Sequence, residues 1–150
     1  MKQKIVPDVI GSNQELAILR PGVSVREAVK MMAQRKIGAV MIGERTRLEG
    51  IFTERDLLTK VVAASRDPDA VTLGEVMTRD PDTIGPNTSA HEALQRMSER
   101  SYRHLPVTEN GRIVGMVSVR DIYGAMLREL EDELHERDAF IQGAAGYGLN

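Results

Sequence analysis

The sequence predicts an α/β (α+β) chain made of two β-α-β-β-α repeats followed by a C-terminal helical extension. Three observations carry that expectation. Residues 21–63 overlie 86–128 without a gap when the sequence is slid by 65 positions. Within each copy, apolar spacing passes from extended to helical, to extended, and back to helical in the same order. Turn-forming residues fall at matching places in both copies.

The overlay holds 11 identities in 43 positions, well above the roughly 5–7% that ordinary composition gives by chance. Pro21 meets Pro86, Ser24 meets Ser89, Glu27-Ala28 meets Glu92-Ala93, and Met32 meets Met97. Further along, Gly50 meets Gly115 and Arg55-Asp56 meets Arg120-Asp121. Most other pairs exchange like for like, as Thr53 with Ser118 and Leu57 with Ile122. A duplication accounts for this.

Each copy opens on a short apolar segment, at 17–19 and 83–84. Ser24-x-x-Glu27 and Ser89-x-x-Glu92 then have the pattern of capping boxes, in which Ser accepts an orphan N–H and Glu reaches back. The helices that follow carry apolar residues one face apart: Val25, Ala28, Val29, Met32, and Ala90, Ala93, Leu94, Met97. Strands are expected at 39–42 and 48–52, and again at 105–108 and 112–117. Asn110-Gly111 supplies the positive-φ pair of a tight hairpin, whereas Glu44-Arg45-Thr46 is a poorer turn sequence. A second helix closes each unit, at 55–64 and from Val119 onward. Thr72-x-x-Glu75 caps a short helical stretch ending near Met77. The expected boundaries are repeat one at 1–64, a polar linker at 65–71 containing the helix-breaking Pro68, repeat two at 72–128, and an extension at 129–150.

Composition sets limits on function. The chain has 150 residues, a net charge of −2 with acids and bases interspersed, and no Cys. Thiol catalysis, disulfides and thiolate zinc sites are excluded, and no global field recruits nucleic acid. No apolar run approaches the roughly 20 residues of a membrane helix, and residues 1–7 lack a signal-peptide core. A cytoplasmic location is expected. With no Trp, two Phe and three Tyr, the core must come from aliphatic residues and Met. One repeat alone buries too little surface, so the two are expected to share a core.

Gly50-Ile51-Phe52-Thr53-Glu54-Arg55-Asp56 and Gly115-Met116-Val117-Ser118-Val119-Arg120-Asp121 resemble the strand-to-helix signature of CBS domains. Val76-Met77-Thr78, Arg103-His104-Leu105-Pro106-Val107 and the Pro before each capping box match as well. The resemblance covers about residues 8–128. It implies a tandem CBS pair of the small stand-alone bacterial or archaeal type, with pseudo-twofold symmetry and clefts between the repeats. Such clefts often bind AMP, ATP, NAD or S-adenosylmethionine, with no metal required, and such pairs commonly form homodimers.

The motif also has a mechanism of its own. Thr53 and Ser118 stand where a strand ends and a helix begins, a corner whose free N–H groups favour phosphate. Asp56 and Asp121 can each accept two hydrogen bonds, which suits vicinal ribose hydroxyls. Arg55 and Arg120 add cations beside the same corners. The alternative is plain helix capping, and both roles can hold at once. The resemblance implies that the strand edge at these positions lies against the bound nucleotide: Gly38-Ala39 would let an adenine approach the backbone closely, and Arg103 and His104, at the matching place in copy two, would meet phosphates. His104 is otherwise a half-buried structural imidazole. Thr83 completes the candidate set.

On the helix from Ile122 to about Asp138, Tyr123, Leu127, Leu130 and Leu134 step by 4, 3 and 4, a short coiled-coil-like seam. It packs either on its own module or on a partner chain. Residues 139–148 read as a frayed or docking Gly/Ala-rich arm. The functional expectation is a non-catalytic regulatory module that binds an adenine nucleotide and signals to an unknown downstream protein. The other reading is a structural or protein-interaction module with empty clefts. No nucleophile beside a base, metal-ligand spacing or phosphate-binding loop argues for an enzyme, and scarce aromatics with negative charge argue against nucleic acid.

Overall fold

The computed structural model describes residues 2–148, with side chains through residue 143. After one helical turn at Ile5–Val9 come β1 (Ile18–Leu19), α1 (Val25–Arg35), β2 (Ala39–Glu44), β3 (Arg47–Thr53) and α2 (Glu54–Asp56), which continues as wider π-helical turns over Leu57–Val62. Then follow α3 (Leu73–Val76), β4 (Thr78–Arg79), α4 (Ala90–Arg100), β5 (His104–Glu109), β6 (Arg112–Ser118) and α5 (Val119–Gly148).

The 65-residue offset holds down to single hydrogen bonds. Ser24 and Ser89 cap α1 and α4 by accepting from Glu27 N and Glu92 N, but neither Glu reaches back as a capping box requires, and both helices end in a left-handed residue, Lys36 or Ser101. Strands β2 and β3 pair antiparallel from Ala39 opposite Thr53, and β5 and β6 from His104 opposite Ser118. Both ladders slip at the equivalent step, after Ile42 and after Val107. The parallel contact of Leu19 with Ile42 reappears as a single bridge from Ile84 to Val107. Asn110 and Gly111 take positive φ, 51° and 80°, as the tight turn requires.

The expectation of one shared core is corrected. Two buried clusters exist, and each borrows from the other half of the chain. Val25, Ala28, Met32, Val40, Ile42 and Phe52 of repeat one enclose Leu73, Val76 and Met77, from the start of repeat two. Ala90, Ala93, Met97, Leu105 and Val117 of repeat two enclose Ile5 and Ile10, from the start of repeat one. Swapping these lead-in segments closes each small core without merging them, which is how units too small to stand alone gain buried area. The crossings are hydrogen-bonded: Val25 N donates to Val71 O (2.9 Å), and at the equivalent place Ala90 N donates to Gln3 O (2.8 Å).

The two motif glycines mark where the swapped segments lie closest. A Cβ on Gly50 would stand 2.6 Å from Met77 Sδ and 2.8 Å from Thr78 O, and one on Gly115 would stand 2.6 Å from Ile10 Cδ1. Strand β4 pairs with β3 through Ile51 and Thr78. At the equivalent Met116 one side chain does the same work. Gln14 donates from Nε2 to Met116 O (2.9 Å) and accepts from Met116 N (2.8 Å) at Oε1.

The second helix of repeat one departs from the single α-helix expected at 55–64. Thr59 Oγ1 donates back to Arg55 O at 2.8 Å, a bond that competes with the helical ladder and opens the turn. Copy two has Gly124 there and stays α-helical. Helix α5 also continues beyond Asp138 to Gly148, so the backbone of the Gly/Ala-rich arm is helical. The seam of Tyr123, Leu127, Leu130 and Leu134 is 56–58% exposed, so it does not pack on its own module.

Candidate functional site

Both strand-to-helix corners open on one continuous cleft of about 1010 Å³ between the repeats. Of the residues expected at the site, Gly38, Thr53, Arg55, Asp56, Arg103, His104, Ser118, Arg120 and Asp121 line it. Ala39 lies fully buried behind it. Thr83 lines a separate, shallower hollow beside Thr46, Arg47 and Thr108. Met32, Ile37, Ile51, Tyr102 and Met116 give the cleft an apolar wall.

Each corner is a closed capping box. Thr53 N donates to Asp56 Oδ2 (3.0 Å) and Asp56 N to Thr53 Oγ1 (3.3 Å). Ser118 N donates to Asp121 Oδ2 (2.8 Å) and Asp121 N to Ser118 Oγ (3.0 Å). The capping reading therefore holds at both corners, and it uses one carboxylate oxygen of each Asp.

The second oxygen separates the copies. Asp56 Oδ1 accepts from Thr78 Oγ1 (3.3 Å) and is paired with Lys60 Nζ (3.0 Å), and the same Nζ donates to Val76 O (3.1 Å). The Asp56 side chain is 9% exposed. Alanine 125 stands where copy one has Lys60, and among the described residues Asp121 Oδ1 has no partner. The arginines divide the same way. Arg55 Nη1 donates to Ser101 O (3.0 Å) at the end of α4, whereas the guanidinium groups of Arg103 and Arg120 are exposed and unbonded among the described residues. Copy one's corner is thus saturated by the protein, and copy two's corner presents an acceptor and two cations to the cleft.

The expected open space beside Gly38 is taken. A Cβ there would meet His104 Cε1 at 3.2 Å and the Glu54 carboxyl carbon at 3.3 Å. The Cε1–Nε2 edge of copy two's imidazole therefore occupies the space beside copy one's Gly38, with Glu54 next to it. Burial pushes the His104 pKa below the ordinary histidine value, against the raising influence of Glu54 and Asp121. Folded His104 stays neutral where the unfolded chain's imidazole takes up a proton. The unfolded state then binds more protons, so stability falls as pH drops through about 6.5. Urea melts between neutral and mildly acidic pH are expected to show this slope, and His104→Gln to flatten it; an unchanged slope in the variant would assign the acid sensitivity elsewhere.

Lys60, Glu54, Thr78 and Gln14 were not among the residues expected at the site. Lys60 was the most legible of them, four residues after Asp56 on one helix face. Thr78 and Gln14 arrive by the swap of lead-in segments, which no local pattern announces.

The CBS domain family model matches residues 7–63 and 73–128. The chain belongs to the CBS domain family. It is 37% identical over 125 residues to the mitochondrial CBS domain-containing protein CBSX3 of Arabidopsis thaliana, covering 80% of this chain and 61% of that relative's length. A signal-transduction candidate with CBS domains from Burkholderia ambifaria superposes with a TM-score of 0.77 at 28% identity, over 84% of this chain and 95% of that one. A CBS domain protein of Pyrobaculum aerophilum, complexed with AMP, shares the fold with a TM-score of 0.69 at 24% identity, over 76% of this chain and 86% of that one. The tandem CBS fold read from the repeat is therefore correct, and no catalytic family is indicated. Among the described residues no helix is long and apolar enough to cross a membrane, and no cluster of His, Cys, Asp or Glu could hold a metal ion.

Proposed function

We propose that this CBS protein is a non-catalytic regulatory module that binds one adenine nucleotide per chain and relays its presence to a partner protein. The observation that carries this reading is the open corner of copy two: a half-buried Asp121 with a free oxygen, beside Arg103 and Arg120, at the end of an apolar wall. The carboxylate oxygen suits a ribose hydroxyl, the arginines suit phosphate oxygens, and the wall of Ile, Met and Tyr side chains suits a purine face. AMP is the first choice, since a protein of this fold is found complexed with it. ATP, NAD and S-adenosylmethionine share the adenosine half. The saturated state of Asp56 and Arg55 favours one site over two.

The module pairs with a second copy in this reading. Leu58 and Val62 are 62% and 64% exposed, and their counterparts 65 residues on, Tyr123 and Leu127, are 57% and 58% exposed. The repeat thus presents the same apolar face on two equivalent helices, the kind of surface that self-association covers.

Calorimetric titration of nucleotide-free protein with AMP, then ATP, NAD and S-adenosylmethionine, tests the reading. One of them should bind with micromolar affinity and a stoichiometry of one, and raise the melting temperature as ligand linkage requires. No heat and no shift with any of the four would sink the nucleotide reading and leave a docking module.

A further inference from the structure

Helix α5 leaves the module after Ala125 and Met126, and every described residue from 130 to 143 is exposed. That exposed length rises about 20 Å at 1.5 Å per residue, and a lone helix of this size is marginal in water without packing. Its chemistry is sharply divided. On a 3.6-residue turn Leu130, Leu134 and Ile141 fall within about 40° of one another, and they are 56%, 58% and 63% exposed. Glu131 and Asp138 flank this stripe on one side and Glu133 on the other. Residues 129–138 hold six acids and one Arg, a net of −5. The whole chain carries −2, so the remainder is +3.

A second copy does not fit this stripe. Two such helices packed about 8–10 Å apart would bring Glu131, Glu133 and Asp138 of both copies inside one screening length, with like charges along both edges of the seam. In a parallel, in-register pair Arg137, which sits in the seam between Leu134 and Ile141, would also face its own copy. We propose that the α5 extension is a docking surface for a basic amphipathic helix of another protein. Its apolar face would cover Leu130, Leu134 and Ile141, and its Lys and Arg residues would pair with Glu131, Glu133 and Asp138. This surface begins one turn beyond the Tyr123 and Leu127 face of the same helix, lies outside the cleft, and needs no nucleotide.

The test uses the full chain without nucleotide and two labelled peptides of about 18 residues, one with Leu on one helix face and Lys on the other, the second with Glu in place of Lys. Fluorescence anisotropy should show micromolar binding of the Leu/Lys peptide, at least about tenfold weaker binding of the Leu/Glu peptide, and strong weakening at roughly 0.5 M salt. Two variants, Leu130→Gln with Leu134→Gln and Glu131→Lys with Glu133→Lys, should each lose about tenfold in peptide affinity and keep the nucleotide titration unchanged. These positions are exposed, so an unchanged thermal melt confirms that folding is intact. Unaltered peptide affinity in either variant would overturn the proposal. So would a halving of the protein's mass in sedimentation on Leu130→Gln with Leu134→Gln, because a second copy would then be the occupant.

Discussion

Asp121→Ala is expected to weaken AMP binding about tenfold to a hundredfold, the range for losing a charged hydrogen-bond partner. Asp56→Ala is expected to change it by no more than a few fold. The two residues occupy equivalent positions 65 apart, so a motif-based argument ranks them equally. Their surroundings do not. Asp56 Oδ1 is held by Lys60 at 3.0 Å and Thr78 at 3.3 Å, and a ligand hydroxyl would have to displace both. Asp121 offers the same oxygen free, with Ala125 in place of the lysine. Calorimetry on both variants decides the matter: equal losses, or none, would remove Asp121 from the site.

The stability effect runs the other way. Asp56→Ala is expected to cost about 2–3 kcal/mol, the sum of a lost cap and a broken, mostly buried pair. For a chain of this size that is a fall of roughly 5–10 °C in Tm. Lys60 is 42% exposed and regains water once its partner is gone, which keeps the cost below that of a fully buried pair. Asp121→Ala loses only its bonds within the Ser118 cap, about 1 kcal/mol. Thermal melts of the two variants should therefore order opposite to their affinities. A larger loss at Asp121 than at Asp56 would contradict the structure's account of both corners.

How much of this was legible follows from which interactions are local. Ser24-x-x-Glu27, Ser89-x-x-Glu92 and Asn110-Gly111 announced helix starts and a turn because a cap or a tight turn is decided within a few residues. The strand-to-helix heptads were legible for the same reason, and their duplication made them specific. The swap of lead-in segments was not. Ile5 and Leu73 are ordinary apolar residues, and only the closed fold reveals that each serves the core of the other repeat. That is why one shared core was expected and two were found. The asymmetry of the cleft was partly hidden as well. Gly38 against Arg103 and Ala39 against His104 could be read from the overlay, but not that His104 fills the space beside Gly38. Thr59, by opening the helix after Asp56, shows how one hydroxyl can make two copies of a pattern diverge where the pattern itself gives no warning.

The crossed lead-in segments have a mechanical consequence. Residues 5–10 are stitched into one half and 71–79 into the other, so the chain is laced like two clasped hands and has no free hinge at the 65–70 connection. If one half rotates, it must pull a strand or a helical turn belonging to its neighbour. The route from the Asp121 corner to the other half is then short: Met116 is held by the Gln14 side chain, and three residues on, Ala17 is buried in the core of repeat one. Rotation of one half against the other would therefore strain hydrogen bonds in both, and in the proposed reading a ligand in the cleft is felt at the outer helices.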